Sequence, residues 1–381
     1  MIHVEGESPA IQNFVHALKE NPPPMARINS VQEMETKVNG WTDFLIAESE
    51  EADQPSVEIP VDLAVCPECL QEMLTPTDRR FLYPYINCTN CGPRYTVIKK
   101  LPYDRAQTTM KEWTMCPACQ EEYHNPFDRR FHAHANPWPV CGPHDGLYWK
   151  EGSVQDSVEA IKLAAQLLKQ GEILAIKGLG GYHLACDAQN VQAVTRLRER
   201  KRRPAKPFAI MVKDMESARA IVDLTEEAEE LLTQPSRPIV LAPARHTLLE
   251  VAPDNGHLGV MLPYTPLHHL LYHVGAPPVL VMTSANRSGE PIVYRDEEAR
   301  LRLKEVCDAW LVGQRPIARR VDDSVCRPTV FGPMVIRRSR GMAPLPVANF
   351  PPSPPILAFG ADLKNTVTLV VSGKAVMSQH L

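Results

Sequence analysis

Cys66-Pro-Glu-Cys69, then 18 residues, then Cys88-Thr-Asn-Cys91: this stretch returns fifty positions later as Cys116-Pro-Ala-Cys119, 18 residues, and Trp138-Pro-Val-Cys141. The flanks return as well. Glu72, Asp78, Arg79, Arg80 and Phe81 match Glu122, Asp128, Arg129, Arg130 and Phe131, and Gly92-Pro93 matches Gly142-Pro143. Self-similarity without a gap marks a duplicated unit. Two CxxC pairs at this separation offer four thiolates to one tetrahedral ion, so the unit is metal-binding in type. Spacing alone leaves the pairing open: Cys66 and Cys69 join Cys88 and Cys91, or the sites interleave.

The second copy lacks one cysteine. Trp138 stands where the repeat demands a ligand, and an indole offers no lone pair to zinc. Cys141-Gly-Pro-His144 has ligand spacing in its own right, with His132 and His134 nearby. Either Cys116, Cys119, Cys141 and His144 hold a second ion, or that site is damaged or empty. One or two zinc ions per chain are expected. A structural ion contributes on the order of 10–16 kcal/mol to folding, which a small loop-rich module needs.

Working outward, 381 residues predict more than one domain. There is no run of 18 apolar residues and no basic segment leading into an apolar one at the start, so neither a membrane span nor a signal peptide is expected. Seven of the ten cysteines fall in the repeat, which favours a reduced, cytoplasmic metal protein over a disulfide framework. Cys186, Cys307 and Cys326 read as core residues. A net charge of −4 supplies no global drive towards nucleic acid.

Before the repeat, residues 1–50 read as a short α/β piece. Ser8 caps a helix to about Lys19, and strands are expected near Ile28–Met34 and Phe44–Ala47. After it, Val154, Val158, Ile161, Ala165 and Leu168 have helical spacing, with Gly171 as the stop. A strand at Glu172–Ile176 runs into Lys177-Gly-Leu-Gly-Gly. A helix from Asn190 to Glu199 and strands at Phe208–Val212, Ile239–Ala242 and Val279–Met282 follow. The alternation predicts an α/β open sheet. Residues 343–355 read as a Pro-rich linker. Ile356–Phe359 and Val367–Val371 read as a terminal hairpin without a sheet of its own, expected to be mobile or aggregation-prone.

Two basic groups flank this sheet. One runs from Arg196 to Lys206; the other comprises Arg315, Arg319, Arg320, Arg337, Arg338 and Arg340. Together they suggest a polyanion site, since Arg and Lys bind phosphate by charge-assisted bonds. Thr283-Ser284-Ala285-Asn286 follows an apolar strand, at the strand end where open sheets bind ligands. The glycines after Lys177 suit ligand approach or tight packing equally well. Asp322 and Asp323 read as ion-pair partners of Arg319 and Arg320, with magnesium binding as the alternative.

The repeat, with Arg129-Arg130-Phe131-His132-Ala133 and the closing Cys-Gly-Pro, resembles the zinc region of the HypF family, carbamoyltransferases of [NiFe]-hydrogenase maturation. Lys201-Arg202-Arg203 and Ser284-Ala285-Asn286 resemble the Lys-x-Arg and Ser-x-Asn motifs of YrdC-like proteins, which follow the zinc region in that family. The resemblance implies an α/β multidomain chain, with a zinc-knuckle module followed by a YrdC-like twisted open sheet. Residues 1–50 would be a partial acylphosphatase-like domain without its catalytic loop, 62–145 the duplicated finger, 153–345 the ATP-binding domain and 356–381 the start of a carbamoyl-transferring domain. It implies carbamoyl phosphate, ATP and Mg²⁺ as reactants, carbamoyl-adenylate as product, and a HypE-type acceptor protein. Lys201, Arg203, Ser284 and Asn286 would do the chemistry, with Lys177 and Arg340 helping to hold the nucleotide. A threonylcarbamoyl-AMP synthase shares these motifs but needs no cysteine repeat. A zinc-stabilised RNA-binding module is the third reading, weakened by the scarcity of aromatic residues among the arginines.

Overall fold

The computed structural model describes residues 2–26, 28, 30–43, 59–246, 248–287, 289–361 and 365–380. The chain forms two units, Met1–Ser56 and Val57–Leu381. In the first, helix α1 (Ser8–Glu20) forms as expected, but Glu7 rather than Ser8 is its N-cap. The Glu5 carboxylate accepts from the backbone N–H groups of Asn39, Gly40 and Trp41 at 2.6, 2.9 and 3.2 Å. The strand expected at 28–34 is absent among the described residues, which offer no second strand to pair with it. Residues 44–47 lie outside the described part.

In the second unit the two repeat copies build matching knuckles. Cys66 and Cys116 are the N-caps of helices α2 (Pro67–Leu74) and α3 (Pro117–His124), each with proline in its first turn. Proline is pre-organised for that position and wastes no donor there. Leu82 and His132, fifty residues apart, both take the left-handed conformation, with φ of 54° and 52°.

Eleven strands form one mixed sheet. They are β1 (Asp145–Trp149), β2 (Gly152–Val154), β3 (Leu174–Lys177), β4 (Tyr182–Asp187), β5 (Ala209–Val212), β6 (Ile239–Pro243), β7 (His257–Met261), β8 (Val279–Ser284), β9 (Ala309–Gly313), β10 (Val325–Arg327) and β11 (Met334–Arg337). Their spatial order is 11-10-6-7-5-8-4-3-9-1-2. The pairs β3/β9, β5/β7 and β6/β10 are parallel and the other pairs antiparallel. Helices α4 (Ser157–Lys169) and α8 (Pro266–His273) cover one face, and Met73 and Ile86 of the first knuckle share that core. Helices α5 (Val191–Lys201), α6 (Met215–Ile221), α7 (Glu226–Thr233) and α9 (Asp296–Arg302) cover the other. Cys186, Cys307 and Cys326 are buried here, as their sequence context predicts. Among the described residues no helix is long and apolar enough to cross a membrane.

The C-terminal expectation needs correction. The Pro-rich 343–355 segment supplies a strand, β12 (Pro346–Asn349). With β13 (Ile356–Phe359), β14 (Val367–Val371) and β15 (Lys374–Met377) it makes a four-stranded sheet in the order 12-15-14-13. The segment after β15 is anchored: Arg338 donates to the Met377 carbonyl at 2.9 Å, Tyr95 to Gln379 at 3.1 Å, and His380 pairs with Asp322 at 3.1 Å. The terminal strands are therefore partnered, so truncation at 350 removes contacts to both the knuckles and the large sheet.

Candidate functional site

The cysteines resolve into two groups without interleaving. Cys66, Cys69, Cys88 and Cys91 bring four sulfurs together, and Cys116, Cys119 and Cys141 bring three. In the first group, neighbouring sulfurs stand 3.7 Å (Cys66–Cys88), 3.8 Å (Cys88–Cys91) and 3.6 Å (Cys69–Cys91) apart. Four sulfurs about 2.3 Å from a tetrahedral ion must lie about 3.8 Å from one another. The geometry thus fits a closed ion of zinc type and is far too wide for disulfides. In the second group Cys119 and Cys141 are likewise 3.7 Å apart. His144 lies outside this group. Its backbone N–H donates to the Gln314 side chain and its carbonyl accepts from the Gln314 N–H, so the chain there is directed into the sheet. His134 is held by Tyr123 at 2.8 Å, and His132 stacks on the same tyrosine. A four-ligand zinc site therefore does not assemble from the second group's own neighbours among the described residues.

The repeated spacing of the arginine pairs has a purpose that sequence reading missed: each pair reaches across to the other copy. Arg79 donates to the Cys119 sulfur at 3.5 Å, and Arg80 grips Glu122 at 2.6 and 3.0 Å. Reciprocally, Arg129 donates to the Cys69 sulfur at 3.1 Å and to Glu72 at 2.9 Å, and Arg130 binds Glu72. Arg80 also donates to the Pro137 carbonyl and Arg130 to that of Asn87, positions again fifty apart. The arrangement is an isologous interface inside one chain. Burial alone would raise the Glu122 carboxyl; the Arg80 bonds outweigh it and hold it below the ordinary carboxylate range.

The second site lies at the end of α5. Asn190 caps that helix and Arg202 ends it in the left-handed conformation, with φ of 52°. This places Lys201, fully buried, against the end of β8. Its ammonium donates to the carbonyls of Ser284 and Asn286 at 2.7 and 2.6 Å and to Asn286 Oδ1 at 2.6 Å. Ser284 Oγ donates to the same Asn286 oxygen at 3.1 Å. Two motifs more than eighty residues apart are thus joined at one atom. Burial, and after it the Arg203 charge, pushes the Lys201 ammonium down to about 7. Arg203 donates to the carbonyls of Lys206 and Pro207, and its guanidinium lies 5.3 Å from the Phe208 ring centroid. The organiser of this loop is Arg198, whose guanidinium donates to the carbonyls of Arg203, Lys206 and Val251. Nothing in the sequence separates it from its basic neighbours.

Several members of the two basic groups are committed to protein partners. Arg200 pairs with Asp308 at 2.8 Å, Arg319 donates to the Ile98 carbonyl, and Arg338 is spent on carbonyls. Arg340 is buried. Its guanidinium is taken by Asp323 at 2.8 Å and by the carbonyls of Ser236 and Arg237 at 2.9 Å, over the Tyr264 ring. Asp323 therefore pairs with Arg340 and, at 2.9 Å, with His183, rather than with Arg319 and Arg320. Burial would raise its carboxyl, but these two partners drive it well below the usual range. Lys177 is tied to Asp296 at 2.6 Å and to the Gly313 carbonyl at 2.7 Å, and no bond joins it to the Lys201 cluster. The glycines beyond it are explained by packing. A Cβ on Gly180 would collide with the Val321 carbonyl, and one on Gly181 would stand 2.6 Å from Ile292.

Known families match both the knuckle region and the sheet region. The HypF finger family matches residues 65–98 and 115–148, and the Sua5/yciO/yrdC family, described as telomere recombination, matches 166–339. The carbamoyltransferase HypF of Rhodobacter capsulatus is 48% identical over 386 residues, covering 100% of this chain and 51% of the relative. That of Synechocystis is 42% identical, covering 99% and 50%. A crystal structure of full-length HypF in the phosphate- and nucleotide-bound form superposes with a TM-score of 0.92 at 43% identity, over 98% of this chain and 49% of that one. The T. kodakarensis HypF structure does so with a TM-score of 0.90 at 44% identity, over 99% and 48%. The chain spans about half the length of these relatives. Fingers and YrdC-type sheet in this order, matched along nearly all of its residues, make the chain a member of the HypF carbamoyltransferase family.

Proposed function

We propose that this chain carries the adenylating site of a carbamoyltransferase of hydrogenase maturation. Carbamate, left when water takes the phosphoryl group of carbamoyl phosphate and inorganic phosphate departs, attacks the α-phosphorus of ATP through an oxygen. The bond to the β-phosphate breaks, pyrophosphate leaves with Mg²⁺, and carbamoyl-adenylate remains for transfer to a HypE-type cysteine. The observation that carries this reading is the Lys201 ammonium bound to both Ser284 and Asn286. It puts a cation, a hydroxyl and an amide at one strand end, the groups needed to orient phosphate and carbamate oxygens. Arg203 stands next to it as the second cation. The nucleotide seen in the related crystal structure supports the assignment of ATP. Arg340, bound to Asp323, and Lys177, bound to Asp296, stand apart from this cluster and act by holding the surrounding sheet.

The deciding assay is ATP–pyrophosphate exchange. Exchange that depends on carbamoyl phosphate or added carbamate, and not on threonine with bicarbonate, is the expected result. Dependence on threonine would move the chain to threonylcarbamoyl-adenylate synthesis. Exchange with neither, together with tight RNA binding, would favour the nucleic-acid reading.

Lys201 supplies a pH test. Its folded pKa of about 7 lies below the free lysine value, so the folded chain releases this proton as pH rises through 7. A bound phosphate favours the ammonium and draws the proton back. Nucleotide binding at pH 8 should therefore take up as much as about one proton, and affinity should fall as pH rises above 7. Calorimetric titration in two buffers of different protonation enthalpy reads the uptake. Zero uptake in wild type would remove Lys201 from the phosphate site.

A further inference from the structure

We infer that the Cys116–Cys119–Cys141 group is an open three-thiolate metal site, which completes its coordination with a monodentate ligand from solution, of imidazole or thiol type. The starting point is the comparison of the two copies. At the position of Cys88 the second copy has Trp138, and the turn around it is unchanged: Cys141 N–H donates to the Trp138 carbonyl at 3.1 Å, as Cys91 N–H does to that of Cys88 at 3.4 Å. The substitution therefore removes a ligand without removing the corner of the site that held it. The three remaining sulfurs keep ligand spacing, and Cys119 and Cys141 are as close as the pairs of the complete site. No other histidine, cysteine or carboxylate among the described residues joins them.

The Trp138 side chain borders that corner, and its Nε1 is buried with no hydrogen-bond partner among the described residues. Arg79 covers the other side of the ring, 4.8 Å from the centroid, while donating to the Cys119 sulfur at 3.5 Å. Arg79 thus sets a guanidinium against one of the three sulfurs, that of Cys119. A closed structural zinc needs four protein ligands; three with an open position is the pattern of an exchangeable ion. Thiolates select soft and borderline ions, and a soft or nitrogen ligand suits the vacant corner. Loss of one of four thiolates should weaken the ion by roughly 100-fold or more relative to the complete site.

The test uses the full chain, reduced and reconstituted with Co²⁺, whose visible bands report the number of sulfurs. The expected result is two equivalents of unequal affinity. The tight one shows a four-sulfur spectrum. The weak one, at least about 100-fold weaker, shows a three-sulfur spectrum that shifts when imidazole is added. In Trp138→Cys both equivalents should bind alike and ignore imidazole. Trp138→Phe, which keeps the corner open, should retain the weak, imidazole-sensitive ion, and so decides the matter even if the cysteine variant misfolds. Two equally tight four-sulfur ions in wild type, no second equivalent at millimolar cobalt, or a second equivalent blind to imidazole would each overturn the proposal.

Discussion

Cys88→Ser should cost the chain the fold of its first knuckle and much of the support beneath the sheet. Cys88 is fully buried, with Cys66 and Cys91 sulfurs at 3.7 and 3.8 Å. A structural ion held by four such thiolates contributes on the order of 10–16 kcal/mol, more than the 5–15 kcal/mol by which a domain is usually stable. Met73 and Ile86 sit between this ion site and the core under α4 and α8, so loosening the knuckle exposes them and undermines that face of the sheet. Without its ion the knuckle also leaves Arg129 facing unmetallated thiols. The measurements are metal content, thermal unfolding and limited proteolysis between residues 62 and 145. Loss of one ion with early cleavage in this region is expected. A variant that keeps its metal and melts with wild type would refute a structural ion at this site. Cys141→Ser in the incomplete second group should be far milder, because three sulfurs hold less binding free energy to lose.

The regularities that could be read in advance are those written in short stretches of chain. The CxxC spacing foretold the first metal group because each ligand pair is local: Cys66 caps a helix with Cys69 in its first turn, and Cys88 and Cys91 close a turn. The helical spacing of Val158, Ile161, Ala165 and Leu168 foretold α4, although Val154, read as the first of that series, lies in β2; the apolar runs at 239–242 and 279–282 foretold two sheet strands. Long-range partners were not legible. Asp323 lies three residues from Arg320, yet it pairs with Arg340 and His183 because β10 runs beside β6 and brings those groups under Tyr264. Arg198 and Arg203 look alike in sequence, but only the first is enclosed by the loop it organises. The basic groups consequently overstated the uncommitted cations, since a charge run does not reveal which members have carbonyls waiting for them. The 343–355 segment misled for a related reason: prolines at the edge of a strand cost no ladder bond, and β12 is such an edge strand.

Arg80→Ala and Arg130→Ala should each destabilise the copy that the arginine reaches, not the copy that contains it. Both side chains are buried, and each satisfies a glutamate of the other copy. Removing Arg80 leaves Glu122 with Arg79 at 2.7 Å and Asn136 at 3.2 Å; removing Arg130 leaves Glu72 with Arg129 at 2.7 Å. Breaking a buried pair from one side typically costs about 3–5 kcal/mol; with a second arginine still on each glutamate, the loss here should be smaller. Adding Glu122→Gln to Arg80→Ala should cost less than the two substitutions summed, because both remove the same bond. Hydrogen exchange gives the spatial readout. Arg80→Ala should raise exchange in 116–124 and 136–141 before 66–74, and Arg130→Ala should do the reverse. Destabilisation confined to the copy bearing the substitution, or strict additivity in the Arg80–Glu122 cycle, would show that the exchanged arginines are not what clamps the two knuckles together. The clamp also explains why the duplicated unit keeps Arg-Arg in both copies while it has lost a cysteine in one. A ligand serves only its own ion, whereas each arginine pair holds the neighbouring copy in place.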